Sequence, residues 1–402
     1  MASSQAIETV LYSFHGYPTD GTGPSGTLLF ANGRVYGVTG AGGKYCFEER
    51  GCGTVYELSP TSSGEWSEKL LYEFCSTGNP KTCADGATPY AGLIMDPSGN
   101  LYGTATAGGT AGIGVVFRLS PPLEQGGSWT ETVLWNFSLD LTNGRGFSYG
   151  ALNIDTAGNL YGTTTNGGSK NAGIVYELSP QPDGRYSFSI LHNFSGPDGA
   201  DPEYGVTFDS MGNLYGTTSQ GGRGKSICSY GCGLVYELSP IGSTWSEAVL
   251  FEFDGVIGAW PISPISIDGS GNLYGTFEKG GGETTCYFIT CGGVFKLVPG
   301  SNRKYVFDFN SGADEGTPHS GVTIGSDGTL YGTEGILGFG EGQAYMLQGS
   351  HETVLYNFCS AANCSDGLWP AYGNLIIHNG SLFGATAEGG SFNDGVVYSL
   401  TQ

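Results

Sequence analysis

The six residues Gly158-Asn159-Leu160-Tyr161-Gly162-Thr163 decide the fold, because the chain repeats them. The same phrase stands at 99–104, 212–217 and 271–276, and at 328–333 with Thr329 in place of Asn. Looser copies are Gly33-Arg34-Val35-Tyr36-Gly37 and Gly380-Ser381-Leu382-Phe383-Gly384. The aromatic falls at 36, 102, 161, 215, 274, 331 and 383, a spacing of 52 to 66 residues in a chain of 402. A period this long, with turn signals inside each unit, marks the blades of a propeller or the coils of a solenoid.

Around the 158–163 phrase the unit reads as four short strands, at 149–155, 159–165, 173–179 and 185–194. Gly, Asn, Asp and Pro clusters separate them, which predicts an antiparallel meander. The chain ends choose between ring and solenoid. Residues 8–14 (ETVLYSF) match the fourth strand of other units, such as 131–137 and 352–358, while 395–400 (GVVYSL) match a third strand. A spare strand at the start and a missing one at the end complete each other, whereas a solenoid needs caps instead. The expected fold is all-β. It is one seven-bladed propeller over 1–402, with four antiparallel strands per blade and the N-terminal strand closing the last. The expected blades are 22–76, 86–138, 146–195, 201–254, 260–310, 317–359 and 369–402 with 7–15.

Charged residues make up 13% of the chain and aromatics 13%. That is about half the usual charge fraction of ~25%, the opposite of a disordered composition. The net charge is -22, from 15 basic and 37 acidic residues. Too few cations are present to replace phosphate counterions, so nucleic acid is excluded as a partner, and anionic membranes are disfavoured. No apolar run reaches the length of a membrane span. A monomer with a small-molecule or polysaccharide ligand is expected.

The ten cysteines form five close pairs: Cys46/Cys52, Cys75/Cys83, Cys228/Cys232, Cys286/Cys291 and Cys359/Cys364. Their spacings vary and they fall in different repeats, which fits local disulfides better than zinc knuckles. Disulfides imply an oxidising setting, so a secreted, periplasmic or cell-surface protein is expected, its signal peptide already removed.

The unit G-[LV]-x-x-D-x-x-G-N-L-Y-G-T-T-x-x-G-G, followed by G-x-V-Y-E-L-S-P, resembles the Gloeo-Verruco tandem-repeat family and covers nearly the whole chain. The resemblance implies an exported bacterial propeller and supplies no catalytic residues.

In such a blade the strand 2–3 loops and the crossovers share one face, here called the top. All five cysteine pairs fall there, three in the 2–3 loops of blades 1, 4 and 5 and two in crossovers. Loops held on a rigid scaffold are where function tends to sit. The bottom turns, such as Asp96-Pro97-Ser98-Gly99 and Asp155-Thr156-Ala157-Gly158, carry an Asp that suits turn geometry. A structural calcium ion is the other use for such Asp residues, and no cofactor is otherwise predicted.

Departures from the repeat supply the candidate site. His319 begins the inner strand of blade 6, Glu334 and Glu278 replace small residues after Tyr-Gly-Thr, and Glu203 stands at an inner-strand mouth. Tyr90, Tyr149, Tyr204, Trp260, Trp369 and Tyr372 would line the same mouths. Paired carboxylates, or His beside Tyr, can move protons at a glycosidic bond or beside a uronate, and aromatics stack on sugar rings. The expected function is therefore carbohydrate binding on the top face, with cleavage of the polysaccharide lyase or glycosidase type. A non-catalytic surface module for protein or matrix contact is the alternative.

Overall fold

A computed structural model describes residues 5–46, 50–77, 82–124, 126–138, 144, 150–223, 228–280, 292–298, 300, 304–309, 316–318, 320–336, 341–370 and 373–401. Seven antiparallel sheets form a ring, a seven-bladed β-propeller. Blade 3 shows the plan, with strands β10 (Asn153–Ile154), β11 (Leu160–Thr164), β12 (Ile174–Pro180) and β13 (Tyr186–Asn193) in spatial order from axis to rim.

The repeated phrase is explained by what each of its residues touches. Leu160 is fully buried. Gly162 lies opposite Tyr176 of β12, and a Cβ there would sit 2.5 Å from the Tyr176 hydroxyl oxygen. The phenol ring covers the glycine, so no larger residue fits. Thr163 Oγ1 donates to the Tyr204 carbonyl of the next blade, as Thr217 does to Ser263 and Thr276 to Ser320. In blades 3, 4 and 5 this hydroxyl thus ties blade to blade.

Asn159 and Tyr161 serve the bottom turn. Asp155 Oδ1 accepts the backbone N–H groups of Ala157 and Asn159, while Oδ2 accepts the Asn159 amide and the Tyr161 hydroxyl. Asp96, Asp209 and Asp268 do the same in their blades. Burial would raise the Asp96 carboxyl, but hydrogen bonds from Asn100, Tyr102 and Ser98 outweigh it and hold the group below its usual range. Protein donors occupy both oxygens, which gives these Asp residues a structural role.

The ring closes as the strand offset requires. β1 (Ile7–Ser13) pairs antiparallel with β31 (Val396–Thr401), from Ile7↔Thr401 to Ser13↔Val396. Blade 7 therefore joins the two ends of the chain.

A second joint recurs at the top. The residue before the inner-strand proline adopts a left-handed backbone at Gly23, Thr88, Asp201, Trp260 and Trp369. Its N–H bonds to the preceding blade, Thr88 to Cys52 O, Asp201 to Ala172 O and Trp260 to Cys232 O. The proline then packs on the glycine that opens the preceding blade's third strand. A Cβ on Gly173 would lie 2.4 Å from Pro202, and one on Gly233 2.6 Å from Pro261.

The disulfides Cys46–Cys52, Cys75–Cys83, Cys228–Cys232 and Cys359–Cys364 are formed as local pairs. Cys286 and Cys291 lie outside the described residues. The four disulfides among the described residues fit an oxidising compartment. Among the described residues no helix is long and apolar enough to cross a membrane.

Candidate functional site on the top face

The left-handed position decides which side chains reach the top of the axis. Glycine adopts φ near +60° without cost, whereas a bulky residue there is strained by on the order of 1–3 kcal/mol. Blade 1 uses Gly23, but blades 4, 5 and 7 place Asp201 (φ 61°), Trp260 (φ 59°) and Trp369 (φ 60°) at the same point. Blades 4 and 5 are neighbours, and their departures from the repeat meet there.

β15 (Leu214–Thr218) of blade 4 leads directly into Ser219 and Gln220. Ser219 Oγ donates to Glu203 Oε1 at 3.0 Å and also lies 3.1 Å from the Asp201 carbonyl. Gln220 Nε2 donates to Asp201 Oδ2 at 3.0 Å. β20 (Leu273–Lys279) of blade 5 ends in Glu278 and Lys279. The Lys279 ammonium sits 3.8 Å from the centre of the Trp260 ring, a close cation–π contact. The Cys228–Cys232 bridge fixes the loop whose Cys232 carbonyl accepts the Trp260 N–H at 2.9 Å. That staple therefore orients the indole. Gln220, Cys228, Tyr230, Trp260 and Lys279 line a cavity of about 380 Å³.

The charges in this corner set its chemistry. Burial pushes the Glu203 carboxyl up to about 7, and the nearby Asp201 and Glu278 push the same way against the Ser219 hydrogen bond. Burial also raises Glu278, with Lys279 opposing it, and raises Asp201. A carboxyl near neutrality can give or take a proton at working pH, which is the condition for general acid–base chemistry.

Of the carboxylates expected at the mouths, Glu203 and Glu278 lie close enough for Glu278 to raise the Glu203 carboxyl, and Trp260 stands on the short strand paired with the one that ends in Glu278 and Lys279. Glu334 lies elsewhere. It follows Thr333 directly, whereas Glu278 is two residues past Thr276, so strand alternation turns the two to opposite faces. Glu334 is fully buried inside blade 6 and accepts a hydrogen bond from its cross-strand partner Gln343. Tyr204 is also buried. Tyr90 is part exposed and its ring covers Gly40 of blade 1, while Trp369 is exposed at the blade 7 mouth. His319, Tyr149 and Tyr372 lie outside the described residues. Sequence reading missed Asp201, Gln220 and Lys279. The signal was present for Asp201 in its place before Pro202, which matches Trp260 before Pro261.

The Gloeobacter/Verrucomicrobia repeat profile matches residues 1–151 and 148–398. No curated protein sequence matches the chain. Two solved structures share the fold over nearly their whole length. The crystal structure of polysaccharide lyase Uly1 aligns with a TM-score of 0.54 at 10% identity, covering 100% of this chain and 98% of that one. A PL25 ulvan lyase bound to -[GlcA(1-4)Rha3S]- aligns with a TM-score of 0.53 at 10% identity, covering 96% and 95%. Identity this low speaks for the fold alone.

Proposed function

The chain belongs to the Gloeobacter/Verrucomicrobia repeat family, and from that premise we propose an exported propeller that binds an acidic polysaccharide at the blade 4/5 corner and cleaves it. The observation that carries the reading is the half-buried carboxyls Glu203 and Glu278, the first held near neutrality, beside an indole platform and the Lys279 ammonium. A pyranose ring stacks on Trp260, and the Lys279 ammonium takes the uronate carboxylate. That charge neutralisation acidifies the C5 proton of the sugar. One carboxylate removes that proton. The electron pair forms the C4–C5 double bond, the bond from C4 to the glycosidic oxygen breaks, and the protonated carboxyl of the pair supplies a proton to the departing oxygen. Polysaccharide lyases on the same fold support this over hydrolysis, as does a lysine in so acidic a chain. The four disulfides among the described residues support export.

A panel of acidic and neutral polysaccharides, assayed for unsaturated-uronate absorbance and for new reducing ends, tests the proposal. Turnover of a uronate polymer is expected, with Glu203→Gln and Glu278→Gln each lowering it at least about 100-fold and melting within a few degrees of the parent. Full activity in both variants sinks the site. Reducing ends without absorbance replace elimination by hydrolysis. A contact module is favoured by the exposed Tyr230, which lines the same cavity as Trp260, and by the exposed Val256 of the crossover that leads to Trp260. Binding without turnover, unchanged in both variants, would select it.

A further inference from the structure

On the bottom face, an aromatic side chain from the start of the outer strand packs into the groove between neighbouring blades in blades 1 to 4. Trp245 of blade 4 stands edge-on to Tyr161 of blade 3 at 6.5 Å, and Trp66 of blade 1 to Phe383 of blade 7 at 6.5 Å. Tyr186 of blade 3 and Trp129 of blade 2 pack into the corresponding clusters. Strand register identifies the equivalent in blade 6. Trp245 lies two residues before Glu247, the partner of Leu238, and Ser350 lies two before Glu352, the partner of Leu347. Ser350 therefore stands where blade 4 has its indole.

The surrounding residues correspond one to one. Tyr161, Val175, Leu214, Tyr236 and Leu238 between blades 3 and 4 become Tyr274, Val294, Leu330, Tyr345 and Leu347 between blades 5 and 6. With serine in place of tryptophan, a cavity of about 580 Å³ opens along Tyr274, Val294, Leu330, Leu347 and Ser350. A cation coincides with this opening. The cross-strand partner of the groove tyrosine is Glu57, Glu177 or Glu237 in blades 1, 3 and 4, Arg118 in blade 2, where Tyr186 packs into the groove, and Lys296 in blade 5, where the groove is open. The Lys296 ammonium sits 5.0 Å from the centre of the Tyr274 ring and lines the cavity.

We propose that this cavity binds a planar aromatic ring that carries a carboxylate side group, seated where blades 1 to 4 seat their own aromatic ring. The walls match an aromatic ring because the corresponding residues of the 3/4 groove close on Trp245. The rim carries a cation in a chain of net charge -22, so the appended group is anionic. The site lies on the face opposite the Glu203 corner and does not depend on it.

The test uses indole-3-acetate and uncharged indole-3-acetamide as probes, titrated calorimetrically into the full chain. Saturable 1:1 binding of the acid is expected, with the amide weaker. Lys296→Met should weaken the acid at least about tenfold while leaving the amide unchanged. Ser350→Trp should refill the groove, abolish both and raise the melting temperature. Glu203→Gln, whatever it does to turnover at the other face, should leave the affinities for acid and amide as in the wild type. The proposal is overturned if the wild-type chain shows no saturable binding of the acid, if Ser350→Trp folds and binds like wild type, or if Lys296→Met leaves acid and amide equally affected.

Discussion

A chain lacking residues 5–15 is expected to lose its cooperative unfolding transition under conditions where the full chain is folded. The deletion removes β1, the outer strand of blade 7, and leaves β31 with an unpaired edge. It also removes Phe14, which is fully buried and packs edge-on against Tyr56 of blade 1 at 5.0 Å. Two contacts that hold the neighbouring blades go with it. The Tyr12 hydroxyl donates to Asp20 at 2.6 Å, and the Ala6 N–H donates to the Leu355 carbonyl of blade 6. Ladder hydrogen bonds contribute about 1 kcal/mol each and the buried aromatic about 3. Their sum is on the order of 10 kcal/mol, comparable with the whole stability of ~5–15 kcal/mol of a folded domain. Thermal unfolding followed by circular dichroism checks this, and a synthetic 5–15 peptide added in trans should restore the transition. A truncated chain melting within a few degrees of the parent would mean that the ring does not depend on its closing strand.

Stability is expected to fall as the pH rises from about 5.5 to 8.5. Glu8, Glu68, Glu131 and Glu247 sit on outer strands and face the crossover residues Asp366, Asp20, Asp85 and Asp198. Burial, then the adjacent Asp carboxylate, raises Glu131 to about 8 and each of the other three to about 7. The folded state thus holds protons that the unfolded chain has released above its ordinary carboxyl range. Their contribution is complete below about pH 4.5 and is lost as pH rises through 7 to 8. His192 works in the opposite direction at the lower end, because burial lowers it despite Asp198, but it is one group against four. These carboxyls are only partly buried, so screening limits each to on the order of 1 kcal/mol. A melting temperature about 5 °C lower at pH 8.5 than at pH 5.5 is the expected result. Replacing the four Glu by Gln should remove most of the slope, leaving the part that Glu203 contributes with the same sign. A profile that stays flat or rises in the unmodified chain would contradict the account.

The contrast between what could and could not be read from the sequence follows from geometry. The phrase at 158–163 was legible because each of its residues answers to a local demand, the glycine under Tyr176 and the Asn and Tyr on Asp155. The closing strand was legible because residues 8–14 repeat a pattern found whole elsewhere. Local cysteine pairing followed from short loops. The blade 4/5 corner is different, because Glu203 and Glu278 are 75 residues apart and meet only when adjacent blades pack. Facing was partly legible. Counting from Thr333 and Thr276 places Glu334 and Glu278 on opposite sides of their strands. Asp201 was obscured because aspartate is common in turns, and nothing local marks one held in a left-handed backbone.

The most direct test of the central claim is a pH titration of the Glu203 side-chain carboxyl by carbon-13 NMR, assigned through Glu203→Gln. The account predicts a midpoint near 7, moving down in Asp201→Asn, a replacement that the left-handed backbone tolerates. A Glu203 carboxyl that titrates in the ordinary range near 4.5, unmoved by that replacement, would contradict it.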